Sequence, residues 1–143
     1  MIAEERNVDI LETAMFLYNR YPELKTIYPF WRLLSLVDRH DNGLIYIKED
    51  GKIVGAAVYV MVDDETLNKI EKFVYDVSHP EDVAEILKSK GDNLHFLSVA
   101  ADNVRVILKG LKLTIKQRNP KTVSWLKPDM TFHKIRGVNL CHL

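Results

Sequence analysis

The chain has one cysteine, Cys141, in 143 residues, so no internal disulfide can form. A lone thiol two residues from the end fits a reducing compartment, and a cytoplasmic protein is expected. No apolar run approaches the roughly 18 to 20 residues that span a bilayer, so no membrane partner is expected. Met1 to Asp9 carries three acids and one arginine before any apolar stretch, which is not the pattern of a secretory signal. His40, His79, His133 and His142 show no metal-ligand spacing, and one cysteine cannot build a thiolate site, so no metal is expected. No Ser-His-Asp order or nucleophile elbow is visible. Internal repeats, low-complexity tracts and linkers are also lacking. One domain over residues 1–143 is the expectation.

Net charge is absent too, but the zero joins two unlike halves. Residues 1–90 carry 17 acids and 11 bases, whereas residues 91–143 carry 3 acids and 9 bases. Such a chain either neutralises itself across the fold or turns a basic face to an anionic partner. Apolar residues make up 47% and charged residues 28%, enough to bury one core.

Periodicity supplies the elements. A first helix is expected from Asp9, with Ile10, Ala14, Leu17 and Tyr18 on its apolar side and Tyr21-Pro22 as its stop. A second is expected from Pro29 to about Arg39, with Phe30, Leu33, Leu34 and Val37 inward. Asp50-Gly51 then joins Leu44–Glu49 to Lys52–Val62 as a hairpin, because both turn residues tolerate positive φ. The second of these strands is apolar on both faces and reads as a covered central strand; its Gly55 marks a bulge or a close approach. Residues 64–77 fit a helix through Leu67, Ile70, Phe73, Val74 and Val77, although Phe73–Val77 alone also fits a strand. Asp63-Asp64-Glu65 reads as a helix cap or as a site for a basic acceptor. Ser78-His79-Pro80-Glu81 reads as a cap and first turn, followed by a short helix to Gly91.

The segment from Asn93 to Arg136 is the most informative. A strand from Leu94, a helix from Asn103 to Arg118 and a strand from Thr122 to Leu126 make a parallel βαβ unit. Ligands usually sit where such a strand ends. Alternation places Leu94, Phe96, Ser98 and Ala100 on one face and His95, Leu97 and Val99 on the other. Ser98 is suited to orient an amine or bind a thioester oxygen, or is simply a small residue under a helix. His95 titrates near neutrality and is a candidate general base; the alternative is a surface or edge histidine. Along the helix, Val104, Leu108, Leu111 and Ile115 step by four, three and four as a core face. Arg105, Lys109, Lys112 and Lys116 step alike one position round, as a solvated face or as a row for phosphates, an acidic protein or nucleic acid. No aromatic residue interleaves that row, so single-strand stacking is not indicated.

This order of elements resembles the GNAT superfamily of acyl-CoA-dependent N-acyltransferases. Asp50-Gly51-Lys52-Ile53-Val54-Gly55-Ala56 is similar to the family's frequent D-G-K-x-V-G turn, and Leu94 to Trp125 falls where the family has its acyl-CoA strand and following helix. The resemblance implies an α/β fold with a mixed central sheet flanked by helices. It implies transfer of an acyl group from acetyl-CoA, another acyl-CoA or an acyl carrier protein to an amine acceptor. His95 and Ser98 would be catalytic, and Val99, Ala100, Ala101, Asn103, Arg105 and Lys109 would hold the donor. Tyr18, Tyr21, Tyr28, Phe30 and Trp31 fall where the family lines its acceptor cleft, or pack in the core. The family's Q/R-x-x-G-x-G/A loop is replaced by Ala100-Ala101-Asp102-Asn103-Val104-Arg105, without a glycine and with Asp102 at or beside the cap. Gly91 to Ala101 is also similar to the G-D-x-x-W-F-I-D-x-x-A-P stretch of toxin-activating lysine acyltransferases, with Ser98 at their catalytic aspartate. Small phage proteins with this fold and an eroded donor loop are a third likeness. They imply the alternative of a non-catalytic module that presents the basic helix to an acidic partner or nucleic acid.

Overall fold

The computed structural model describes residues 6–21, 43–76, 79–127 and 131–136. The elements are α1 (Arg6–Arg20), β1 (Gly43–Glu49), β2 (Lys52–Val62), α2 (Asp64–Glu71), α3 (Pro80–Lys88), β3 (Asn93–Ala101), α4 (Val104–Arg118), β4 (Thr122–Leu126) and β5 (Phe132–Arg136). The strands form one sheet in the order β1-β2-β3-β4-β5. All neighbours are antiparallel except β3 and β4, which are parallel and joined by α4. The architecture is α/β, a mixed sheet with helices on both faces. No helix among the described residues is long and apolar enough to cross a membrane.

Burial on two sides explains the apolar run of β2. Ala56, Val58, Val60 and Val62 pack against Ala14 and Leu17 of α1, Leu67 and Ile70 of α2, and Val83, Ile86 and Leu87 of α3. Ala57 and Tyr59 face the other way, with Ile45, Leu94, Phe96 and Val123, under Leu111 and Ile115 of α4. Side chains alternate across a strand, so a centre covered on both faces must be apolar throughout. The hairpin turn has Asp50 at φ 53° and Gly51 at φ 78°, as two-residue loops of this hand require. The ladder slips after Ile47, so Val54 is an extra residue, and its carbonyl accepts the Asp102 amide at 2.9 Å. Gly55 follows that slip, and a Cβ there would lie 3.3 Å from Ile107 Cδ1.

Several sequence expectations change. The first helix begins at Arg6, so Asp9 lies within it. The helix expected over 29–39, with Tyr28, Phe30 and Trp31, lies outside the described residues. The helix expected over 64–77 ends at Glu71; Phe73 turns left-handed at φ 58°, and Phe73 and Val74 are exposed. Asp63 caps that helix, accepting from the Thr66 amide at 2.7 Å, which accounts for the acidic run without a basic acceptor. The cap of α3 is His79 with Pro80 in the first turn, as expected, but the helix ends at Lys88 and not at Gly91.

The face of α4 also differs. Among the α4 residues whose burial is described, Ile107, Gly110 and Thr114 are buried, while Leu108 is exposed. Gly110 is what lets α4 lie so close, because a Cβ there would come 3.0 Å from Ile45 Cγ2. The cationic row is exposed as expected at Arg105, Lys109, Lys112 and Lys116.

Gly43 pairs with Tyr59, and a Cβ at position 43 would lie 1.7 Å from Tyr59 Cζ. The Tyr59 ring is held edge-on to Phe96 at 6.3 Å, and its hydroxyl accepts from Arg118 Nε at 3.1 Å. Gly43→Ala should therefore destabilise by about 1–3 kcal/mol in urea unfolding, as overpacking does. Combined with Tyr59→Leu it should cost less than the sum of the two single changes. Additive costs would show that the ring yields freely.

Candidate functional site: the opening between β3 and β4

Pairing between β3 and β4 starts at Asn93 and Thr122 and ends at Phe96 and Trp125. Among the described residues, β3 runs on to Ala101 alongside β2 only. Strand β4 ends at Leu126, so among the described residues no strand lies beside this edge of β3 from Leu97 onward. A second slip lies at that point: Val58 pairs with Ser98 and Tyr59 with Phe96, which leaves Leu97 as a bulged residue. A bulge bends its strand and increases the local twist, and this one lies at the level where pairing with β4 ends.

The bulge also resets the faces. Val99 joins the α4 side with Leu94 and Phe96, whereas Leu97 and Ala100 join the α1–α3 side. Ser98, opposite Val58, lies on that second side. The expected set Leu94, Phe96, Ser98 and Ala100 is therefore split at Leu97, because one extra residue inverts every side chain beyond it. The Asp102 amide bonds back to β2 at Val54. Antiparallel alternation then turns the backbone groups of Val99 and Ala101 toward the side that β4 has left.

The end of α1 lies across this edge. The Tyr21 hydroxyl donates to the Val99 carbonyl at 2.9 Å, and the Arg20 guanidinium pairs with the Asp102 carboxylate. Neither contact was legible in the sequence, since the partners are 78 and 82 residues apart. The α4 cap leaves Asp102 beside it, one of the two expected places. The cap is Asn103, whose side chain accepts from the Arg105 amide at 2.8 Å, while Asp102 is turned to Arg20. The charge of Asp102 is thus balanced by a cation, and a neutral amide occupies the helix start. Arg105 and Lys109 are exposed beyond it, in the first and second turns of α4.

His95 is not a surface or edge histidine. It is 2% exposed, because β4 and β5 extend the sheet past β3. Its Nδ1 lies 2.8 Å from Ser124 Oγ, and its ring stacks on Phe132 with centroids 5.9 Å apart. Burial pushes its pKa down to about 4, so the imidazole is neutral at pH 7. The structure places Ser98, Val99, Ala100 and Ala101 on β3 beyond the β3–β4 ladder and leaves His95 packed opposite Ser124, one pair before the ladder ends.

No protein-family model matches this chain, and no curated protein matches it. Solved structures do. The GNAT-like decarboxylase GphF, in complex with isobutyryl-CoA, superposes with a TM-score of 0.62 at 17% identity over 88% of this chain. A GNAT family acetyltransferase from Brucella melitensis, in complex with acetyl-CoA, superposes with a TM-score of 0.52 at 11% identity. That match covers 95% of this chain and 86% of the other. The chain has the GNAT fold. It spans 65% of the length of the decarboxylase chain. Likeness at this identity carries architecture and not activity.

Burial of His95 makes stability depend on pH. Between pH 6.5 and about 4 the unfolded chain takes a proton at position 95 that the native protein does not. Native stability should therefore be complete above that window and fall as pH drops through it, by up to about 3 kcal/mol. His95→Gln should show a shallower loss between pH 7 and pH 4.5 in urea titrations. Equal slopes for both proteins would place the pH dependence elsewhere.

Proposed function

We propose that this protein binds an acyl thioester in the opening between β3 and β4 and transfers the acyl group to an amine. The observation that carries this reading is the early end of the β3–β4 ladder at Phe96 and Trp125, with β3 continuing to Ala101. A free strand edge hydrogen-bonds an extended, amide-bearing arm as it would another strand. The arm of acyl-CoA, or the same arm on a carrier protein, is such a group. Both fold neighbours hold acyl-CoA ligands, which supports the choice.

The donor supplies an activated carbonyl. Of the strand-end amides, those of Val99 and Ala101 face the free side and are suited to polarise it. The amine attacks the carbonyl carbon, a C–N bond forms, the C–S bond breaks, and the proton lost by the amine passes through water to the departing thiolate. Water is the proton acceptor in this reading, because His95 is buried and its protonated form is disfavoured. Arg105 and Lys109 supply positive charge near the start of α4 for donor phosphates. They stand in for a glycine-rich cradle, since Asn103 already caps the helix.

Acetyl-CoA or isobutyryl-CoA should raise the melting temperature by about 5–10 °C at a hundredfold excess over Kd. Thiol release should then depend on added amine. Thiol release without amine dependence, or loss of carbon dioxide from a carboxylated acyl-CoA, would move the chemistry toward that of the decarboxylase neighbour. No melting shift with any acyl-CoA or acyl-pantetheine would sink the proposal.

A further inference from the structure

Helix α4 carries five cations and no acid. At about 100° per residue, Arg105, Lys109, Lys112 and Lys116 fall within about 60° of arc along about 16 Å of helix. All four are exposed. Two leucines flank them: Leu108 is 41% exposed and Leu113 47% exposed. They lie about 70° to either side of the midline of the strip. On the opposite face of the sheet, α2 and α3 together carry six acids and two lysines. The fold is thus polarised across the sheet, and an anionic partner is drawn to α4 and repelled from the other layer.

The order of groups across the strip selects the kind of anion. A helix that lies in a membrane surface has its apolar residues at the centre of the contact, with cations spread to the edges. Here cations are central and leucines marginal, the reverse arrangement. A nucleic-acid backbone would meet the cations but would leave both leucines without an apolar counterpart. A protein helix with a strip of carboxylates between two apolar edges complements all six side chains. Ion pairs would fill the middle, and leucine contacts would exclude water at the sides.

We propose that α4 is the docking surface for an acidic, amphipathic helix of a partner protein. This inference shares Arg105 and Lys109 with the thioester reading, but its test reads peptide binding with no acyl donor present, so either can fail without the other.

The test uses a labelled helical peptide with a glutamate strip flanked by leucines, followed by fluorescence anisotropy. A 20-base-pair DNA duplex and phosphatidylserine vesicles serve as the competing probes. The peptide should bind more tightly than either, with affinity falling as salt rises. Lys109→Glu with Lys116→Glu should weaken peptide binding about tenfold or more. Leu108→Ser with Leu113→Ser should weaken it several-fold and leave any residual DNA binding unchanged. All four positions are solvent-exposed, so both double variants should keep the wild-type circular dichroism. Tighter binding to duplex or vesicles would overturn the proposal. So would absence of peptide binding, or peptide binding that neither double variant alters.

Discussion

The β2–β3 ladder is the constraint on which the rest depends. It runs from Val62 and Asn93 to Gly55 and Ala101, antiparallel, with both faces of β2 covered. Every other element takes its position from that ladder. The hairpin partner β1 extends it on one side, and α4 returns the chain to the other side of β3. A single extra residue, Leu97, is inserted into it. A bulge of this kind bends and twists its strand, and it lies where pairing on the other side of β3 ends. There β4 stops pairing and the opening begins.

Polar groups around that opening are satisfied locally, which sets its character. Asn103 closes the first turn of α4, Arg20 balances Asp102, and Tyr21 occupies one carbonyl of the strand. The charge that remains exposed on α4 lies farther along the helix. At the other end of the parallel pair, Asn93 is buried and bonds to Val62, Asp64 and Thr122, so the paired half of β3 is tied down. His95 and Ser124 complete the paired half. One half of β3 is thus locked by ladder and side chains, and the other is available along one edge.

Much of this fold was legible in the sequence where a local rule has one solution. Asp50-Gly51 between apolar strands admits a tight hairpin, and Asn119-Pro120 admits a helix stop; Asn119 is indeed left-handed at φ 46°. The parallel unit over 94–126 followed from strand, helix and strand lengths alone. The α4 face was misjudged because two stripes fit the same spacing. Gly110 and Thr114 point inward, yet neither counts as apolar, so Leu108 was preferred to Ile107. The helix expected over 64–77 failed at Phe73, whose left-handed backbone no propensity rule anticipates for an aromatic residue.

The candidate site was legible as a place and not as a geometry. Ser98 to Ala101 lie where the strand-end rule puts them. The bulge at Leu97 has no sequence signature, being neither glycine nor proline, so alternation was carried through it and the faces were exchanged. The burial of His95 depended on how many strands lie beyond β3, which is a property of the whole sheet. Arg20 and Tyr21 reach the site across the molecule, and no spacing rule reports a contact between residues so far apart in the chain.

An unpaired strand edge is also a template for another chain, and sheets that leave one bare tend to aggregate edge to edge. Two features described above blunt that hazard. The kink at Leu97 spoils the straight run a foreign strand would need, and the Tyr21 phenol sits on the Val99 carbonyl. The same hydroxyl that narrows the ligand-binding edge thus acts as a gatekeeper, keeping copies of the protein from zipping together.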